Sequence, residues 1–443
     1  MTMFNSLIKF TQEKTEYLYN NSVFLQNIDK LIFGSIIVVF LLSTVASSDV
    51  IGFIALITFF LTLIKVMTKP DEKLSCKSFE LWLGGYFMIV IISLAGSTLF
   101  HLSLKGFFKT FTYLGFYFSV AQFLKNNKDK IPFILGTIGL CISFEAVTGF
   151  LQNFAQVDEI STWQDVSNIN PEDVMTRVYG TLKPYNPNLL GGYFVAGIPA
   201  LYGLAATYLV DKKYKYSLIW IVLALFSSLT LFLTGCRGSY IGMMVIMVGM
   251  FAVSAKYLWQ NYKQIYLSVL GAIIAFATSV LIFVSSLRTR VLSIFAMRQD
   301  SSNSFRFNVY HSSLQMFKDN WLLGIGVGNQ NFREIYGLYM KTGFDALSAY
   351  NIFLEIAVES GIFALIAFVG FLITLIKNGI NFILKSADTK SVIIVAAAVI
   401  SIIAVCIHGL VDTVFFRPQI QFVFWTMVAI LSASLDNTKV YEC

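Results

Sequence analysis

Charge is scarce in this sequence. Only 13% of its residues are Asp, Glu, Lys or Arg, against about 25% in an ordinary soluble domain, which excludes a water-facing surface over most of the chain. Histidine occurs three times and cysteine five times in 443 residues. Cys76, Cys141, Cys236, Cys406 and Cys443 have no paired ligand spacing and belong to no His/Cys cluster, so neither a disulfide framework nor a metal site is expected. No strand–helix unit surrounds the glycines of "LLGIGVGN" (322–329), which excludes a dinucleotide loop. The first thirty residues carry Lys9, Lys14 and Lys30 and are too long and too polar for a signal-peptide n-region. They read as a cytoplasmic lead, either an interfacial helix or a disordered tail. No inverted repeat and no paired broken helices of the secondary-transporter kind are evident. Nothing implies a cofactor or a nucleic-acid partner.

Apolar residues fill the space that charge leaves. They make up 56% of the chain and the mean hydropathy is +0.71. Runs long enough to cross roughly 30 Å of hydrocarbon fall near 31–47, 50–67, 81–100, 106–124, 131–153, 188–210, 216–234, 238–256, 265–285, 350–376, 391–409 and 416–435. The expected fold is therefore all-α and polytopic, with about twelve transmembrane helices. The segments 154–187 and 286–349 form long extracytoplasmic loops, and 436–443 a cytoplasmic tail. Lysines crowd the connections "TKPDEKLSCK", "KNNKDK", "DKKYK" and "KYLWQNYKQ" and the stretch 377–390, all on the N-terminal side of a twelve-span count. The bias of basic residues in short loops therefore assigns both termini to the cytoplasm of a cytoplasmic (inner) membrane protein.

Arginine runs against that bias. Arg177, Arg237, Arg288, Arg290, Arg298, Arg306, Arg333 and Arg417 all fall on the outward side, as do His101, His311 and His408. Arginine offers a planar fork of donors that pairs bidentately with phosphate or carboxylate, which gives a reason to hold it there. Arg177, Arg237 and Arg306 sit in tight local sequence and read as functional. Arg288, Arg290 and Arg298 read as surface residues of a long loop.

The outward segments converge on one level. "SSNSFRFNVYHSSLQMFKDNW" opens with a Ser/Asn cluster suited to helix capping and then spaces Phe305, Val309, Leu314 and Phe317 as a helix would. Gly324, Gly326 and Gly328 form a tight turn or, as the alternative, offer amides to an anion. A second short helix, "NQNFREIYGLYM", follows. "DALSAYNIFLEIAVESG" (345–361) then places Glu355 and Glu359 on one helical face. Seventeen mostly apolar residues from Ser360 to Ile376 give about 25 Å of helix. Glu355 should therefore lie at or above the outer interface, and Glu359 near the hydrocarbon boundary. Such groups are directed into a cavity or paired, here with loop arginines. "YGTLKPYNPNLLGG" (179–192), "LTGCRGSY" (233–240) and "HGLVDTVFFR" (408–417) add Arg237, His408, Asp412 and Arg417 at the same height. Glu145 is the one acid deep within a span. The whole describes a pocket at the membrane surface suited to an anionic amphiphile whose tail stays in lipid.

In their order, these segments resemble the O-antigen ligase and polymerase (Wzy-type) superfamily of membrane glycosyltransferases over roughly residues 170–435. The resemblance rests on "RVYGTLKPYNPNLLGGYF", "LTGCRGSYIGM", "SFRFNVYHSSLQMFKDNWLLGIGVGNQNF", "SAYNIFLEIAVESGI" and "HGLVDT". It implies a twelve-helix fold with a long extracytoplasmic loop before the helix at 350. It also implies transfer of a glycan from an undecaprenyl diphosphate carrier to an acceptor sugar, with Arg177, Arg237 and Arg306 on the diphosphate. The family shows a His-Asn pair at the start of that helix, its His activating the acceptor hydroxyl; here the pair is Tyr350-Asn351. An ordinary tyrosine, with a pKa of about 10, is a poor base near neutrality. The base role would then pass to Glu355, Glu359 or His311. "AYNIFLEIAVESG" with "DTVFFRPQIQFVFWTMVAI" is similar to the branch labelled as bicarbonate (inorganic-carbon) transporters (IctB-type), which implies bicarbonate accumulation as the alternative function.

Overall fold

The computed structural model describes residues 2–155, 177–296 and 300–435. Arg298, Cys443, the expected tail and the middle of the first long loop lie outside them. Among the described residues there is helix and no strand. The helices are α1 Thr2–Asn21, α2 Val23–Gln26, α3 Ile28–Ser43, α4 Ser48–Thr68, α5 Ser78–Gly96, α6 Phe100–Asn126, α7 Ile131–Gln152, α8 Pro187–Val210, α9 Tyr214–Leu233, α10 Arg237–Leu258, α11 Lys263–Phe283, α12 Ser285–Leu292, α13 Ser301–Asp319, α14 Asn329–Tyr336, α15 Ile352–Lys385, α16 Thr389–His408 and α17 Pro418–Ser434. Each of the twelve expected spans is occupied by one helix. Nine of these helices, among the described residues, are long and apolar enough to cross a membrane. The other three depart from that form for visible reasons: α3 and α17 have 16 and 17 residues, and α6 carries Lys105 and Lys109. The chain is an all-α, multi-pass membrane protein.

The first helix settles one open expectation. The N-terminal lead is helical, and Gln12 of α1 donates from Nε2 to the carbonyls of Val66 (2.8 Å) and Glu72 (3.0 Å), which docks α1 against the end of α4.

Burial explains the centre of the bundle. Helices α8 and α17 are largely apolar and bury most of their residues, as a helix at the centre of a bundle does. Pro187 at the first turn of α8 loses no helical hydrogen bond, and Asn186 caps the helix by accepting from the Asn188 N–H at 2.8 Å. Packed against α8 are α16, α9 and α7; α15 lies along α5 and α17 along α6.

Connections sort into two ends. At one end, Lys256 donates to the Ile383 carbonyl at 2.6 Å, Lys390 pairs with Asp211, and Lys125 donates to the Lys73 carbonyl at 2.7 Å. The other end gathers every described arginine. There the segment 177–186 dips into the bundle: Glu145 accepts from the Thr181 N–H (2.8 Å) and hydroxyl (2.5 Å), and Gln152 accepts from the amides of Tyr179 and Gly180. Glu145 is thus engaged in holding this segment down, its carboxylate filled by a loop.

Helix α15 departs most from expectation. It is interrupted at Gly361, whose φ of 79° no helix accommodates. Residues 362–385 alone give about 36 Å, enough to span. The short piece 352–360, which carries Glu355 and Glu359, is a separate element. Its freed backbone groups pair with the glycine loop: Ile325 and Gly326 donate to the carbonyls of Val358 and Glu359, and Ile362 donates to that of Trp321, each at 2.9 Å. In the second long loop the expected helices form as α13 and α14, with α12 added before them. The N-cap of α13 is Asp300, which accepts from the Asn303 N–H at 2.9 Å, one place ahead of the Ser/Asn cluster.

Candidate functional site

Asp412 is the residue on which the elements of the arginine end converge. It lies in the turn after α16 and is buried. Its Oδ1 accepts from the backbone N–H groups of Thr413 (2.7 Å) and Val414 (3.3 Å), which fixes the carboxylate plane. Oδ2 accepts from Asn188 Nδ2 at 3.0 Å and faces Arg306 Nη2 of α13 at 3.5 Å. Asn188 in turn accepts from Arg177 Nη2 at 2.5 Å, and Arg177 Nε donates to the Thr234 carbonyl at 2.8 Å. The result is a continuous relay from Arg177 through Asn188 and Asp412 to Arg306. Gly235 makes room for it: its φ is +61°, and a Cβ there would stand 3.1 Å from both Cγ and Nε of Arg177.

Two further arginines close the cluster. Arg237 opens α10 and binds Asp300 Oδ1 at 2.9 Å and the Ser293 carbonyl at 3.1 Å. Arg290, expected at the loop surface, is half-buried and donates from Nε to the Gly235 carbonyl at 2.7 Å. Its neighbours include Arg177 and Arg237; burial first, and then these like charges, push its pKa down to about 10. Burial likewise lowers that of Arg177. The α12 turn that carries Arg290 folds back over the α9–α10 corner, and loop sequence alone holds no signal of that. Arg288 is exposed and donates to the Ile282 carbonyl at the end of α11 at 3.2 Å.

The start of α15 borders this cluster. Tyr350 has φ +52°, unusual for a side-chain-bearing residue, and Tyr310 of α13 donates to its carbonyl at 3.2 Å. The Arg306 guanidinium lies over the Tyr350 ring, 5.9 Å from its centroid. Burial and the nearby Asp412 hold the Tyr350 phenol above its ordinary pKa, so it stays protonated. Asn351 is the N-cap of α15, accepting from Phe353 (2.9 Å) and Leu354 (3.0 Å), and it donates to the Leu410 carbonyl at 3.1 Å. Its side chain is fully used in holding two elements together.

The two glutamates separate. Glu355 is buried and accepts from the Thr413 hydroxyl at 3.0 Å, one residue from Asp412. Glu359, a turn deeper, accepts from the Gly328 amide at 2.9 Å. The glycine turn therefore does offer an amide to an anion, and that anion is Glu359. Neither acid pairs directly with an arginine among the described residues, so the expected charge pairing is not what holds them; hydroxyl and amide donors do. Arg417, half-buried at the start of α17, lies within electrostatic range of Glu355. His311 is exposed on α13 and makes no hydrogen bond or ion pair among the described residues, which leaves it outside the cluster.

The expectation that no His and Cys come together does not hold in space. His408 closes α16, Cys236 is the N-cap of α10, and their Nε2 and Sγ lie 3.7 Å apart. Asp412 joins them: one ligand-type atom from each residue lies within 4.8 Å of the others. Cys236, Asn188, Arg290 and Thr413 are the members that sequence reasoning did not assign to the site.

With this geometry described, the comparisons with known proteins become informative. Residues 222–369, from within α9 to just beyond the α15 break, match the family described as O-antigen ligase (Wzy_C). No curated protein matches the chain. The matched third carries Cys236, Arg237, Arg290, Arg306, Tyr350 and both glutamates, while Arg177, Asn188, His408 and Asp412 lie outside it. Over that segment the chain is similar to O-antigen ligases, and with its bundle of apolar helices it is an O-antigen ligase-like multi-pass membrane protein.

Proposed function

We propose that the protein transfers a glycan from an undecaprenyl diphosphate carrier to an acceptor sugar at the outer face of the cytoplasmic membrane. The observation that carries this reading is the charge balance of the cluster. Arg177, Arg237, Arg290 and Arg306 adjoin one another, and among the described residues Asp300 and Asp412 are the acids that pair with them. Such an excess of guanidinium charge, partly desolvated, favours an anion with several oxygens. A diphosphate attached to a lipid tail meets that requirement at the end of a membrane bundle, and the family match points to the same substrate class.

In this reading the arginines stabilise the diphosphate as it leaves, the electrostatic contribution that commonly dominates such reactions. The acceptor hydroxyl oxygen bonds to the anomeric carbon of the donor glycan. The bond from that carbon to the diphosphate oxygen breaks, with its electron pair going to the diphosphate. The hydroxyl proton passes to Glu355, which reaches the cluster through Thr413, whereas Glu359 lies a turn deeper on the Gly328 amide. Tyr350 remains a protonated phenol and packs under Arg306.

The test is turnover. Purified protein in nanodiscs, given undecaprenyl diphosphate oligosaccharide and a sugar acceptor, should release undecaprenyl diphosphate. Arg306→Ala should slow release by about 10²–10³-fold. Absence of release by the wild type, or an unchanged rate in Arg306→Ala, contradicts the reading.

A further inference from the structure

We propose that Cys236, His408 and Asp412 form a three-ligand site for a borderline-soft divalent cation of the zinc class. The three residues come from three separate elements: the α9–α10 corner, the end of α16 and the turn beyond it. All three are buried, at 2% exposure each. A thiolate, an imidazole and a carboxylate are the donor types that zinc takes, with the fourth position left open in sites that bind a water or a substrate oxygen.

The distances suit one ion. With bonds of about 2.3 Å to sulfur and about 2.0–2.1 Å to nitrogen, a tetrahedral ion sets its S···N edge near about 3.6 Å. The observed Sγ···Nε2 separation is 3.7 Å. The Asp412 oxygen, within 4.8 Å of both, needs to close by about an ångström to complete the face.

The surroundings hold the ligands in place. The imidazole sits in a slot between two glycines: a Cβ on Gly238 would stand 3.1 Å from His408 Cδ2, and one on Gly192 would stand 3.3 Å from Cε1. Asp412 is oriented by Asn188 and Arg306, and the Cys236 amide is bonded to the Thr234 hydroxyl at 3.2 Å. Hydrogen-bonded outer partners of this kind orient the ligands of metal sites. The thiolate and carboxylate offset the dication, so the neighbouring guanidiniums do not meet a bare positive charge. In a three-ligand site of this kind the fourth position is left to a water or a phosphate oxygen.

Metal binding is measured independently of glycan transfer, so its failure leaves the proposed activity standing. Full-length reduced protein, stripped with a chelator, is titrated with Co²⁺ and then Zn²⁺. One Co²⁺ per chain should bind with thiolate-to-cobalt charge-transfer absorption that Zn²⁺ abolishes. Cys236→Ser should remove the absorption and weaken binding at least about tenfold. In the wild type, needing no variant, Zn²⁺ should slow alkylation of Cys236 at least about tenfold, with Cys76 and Cys406 unaffected. No thiolate absorption at one equivalent, its persistence in Cys236→Ser, or alkylation of Cys236 indifferent to Zn²⁺ overturns the proposal.

Discussion

At the scale of single residues, the site depends on side chains that are saturated with bonds. Arg177 is buried and satisfies both the Thr234 carbonyl and Asn188. Arg177→Ala leaves those acceptors without a charged donor, a loss of about 1.5–3 kcal/mol for each such bond. The variant should melt well below the wild type in a detergent thermal-shift measurement, whereas exposed Arg288→Ala should melt with it. Arg290 supplies a pH signature. Its folded pKa of about 10 lies below the ordinary guanidinium value, so its charge disappears as pH rises through about 10. Loss of a positive charge weakens anion binding. Donor-lipid binding measured from pH 7 to 11 should therefore fall near 10 in the wild type, and Arg290→Gln should lack that limb while binding more weakly throughout. The phenol of Tyr350, held above its ordinary value, adds no limb below that point.

At the scale of elements, the break in α15 divides structural from chemical work. Gly361, Gly324, Gly326 and Gly328 all have positive φ, and the loop they form covers the open backbone of the break. A Cβ on Gly361 would run into the Leu322 carbonyl. Gly361→Ala should therefore destabilise the protein by more than the roughly 1–2 kcal/mol that left-handed backbone alone costs an alanine, read as a lowered melting temperature. The glutamates should divide likewise. Glu355→Gln should abolish turnover with donor binding kept, while Glu359→Gln should lose thermal stability and disturb binding and turnover together; single-turnover kinetics beside a melt tests this. Both acids, Arg177, Arg237 and Arg306 and a helix in each apolar run were legible in the sequence, because hydropathy and composition are local. The break was not, because a glycine within an apolar run reads as helix until its partner strap is known. The meeting of Cys236 with His408, 172 positions apart, and the role of Arg290 were equally hidden. Neither carries a local spacing, and both follow from which corners of the bundle stack together.

At the scale of the whole molecule, the chain gathers its described arginines at one end of its helices, while lysine predominates at the other. The bundle has a buried centre in α8 and α17, while α11 buries none of its residues against the rest of the described chain. A rigid centre ending in a guanidinium cluster is what a site for a lipid-borne anion needs, since the tail can remain beside the bundle while the head group reaches the arginines. The most direct measurement is equilibrium binding of undecaprenyl diphosphate oligosaccharide to the purified protein, set against the same lipid carrying a single phosphate. The diphosphate should bind at least about tenfold more tightly, and Arg306→Ala and Arg237→Ala should each erase most of that preference. Equal binding of the two lipids, or a preference that survives both substitutions, contradicts the assignment of this cluster to the diphosphate.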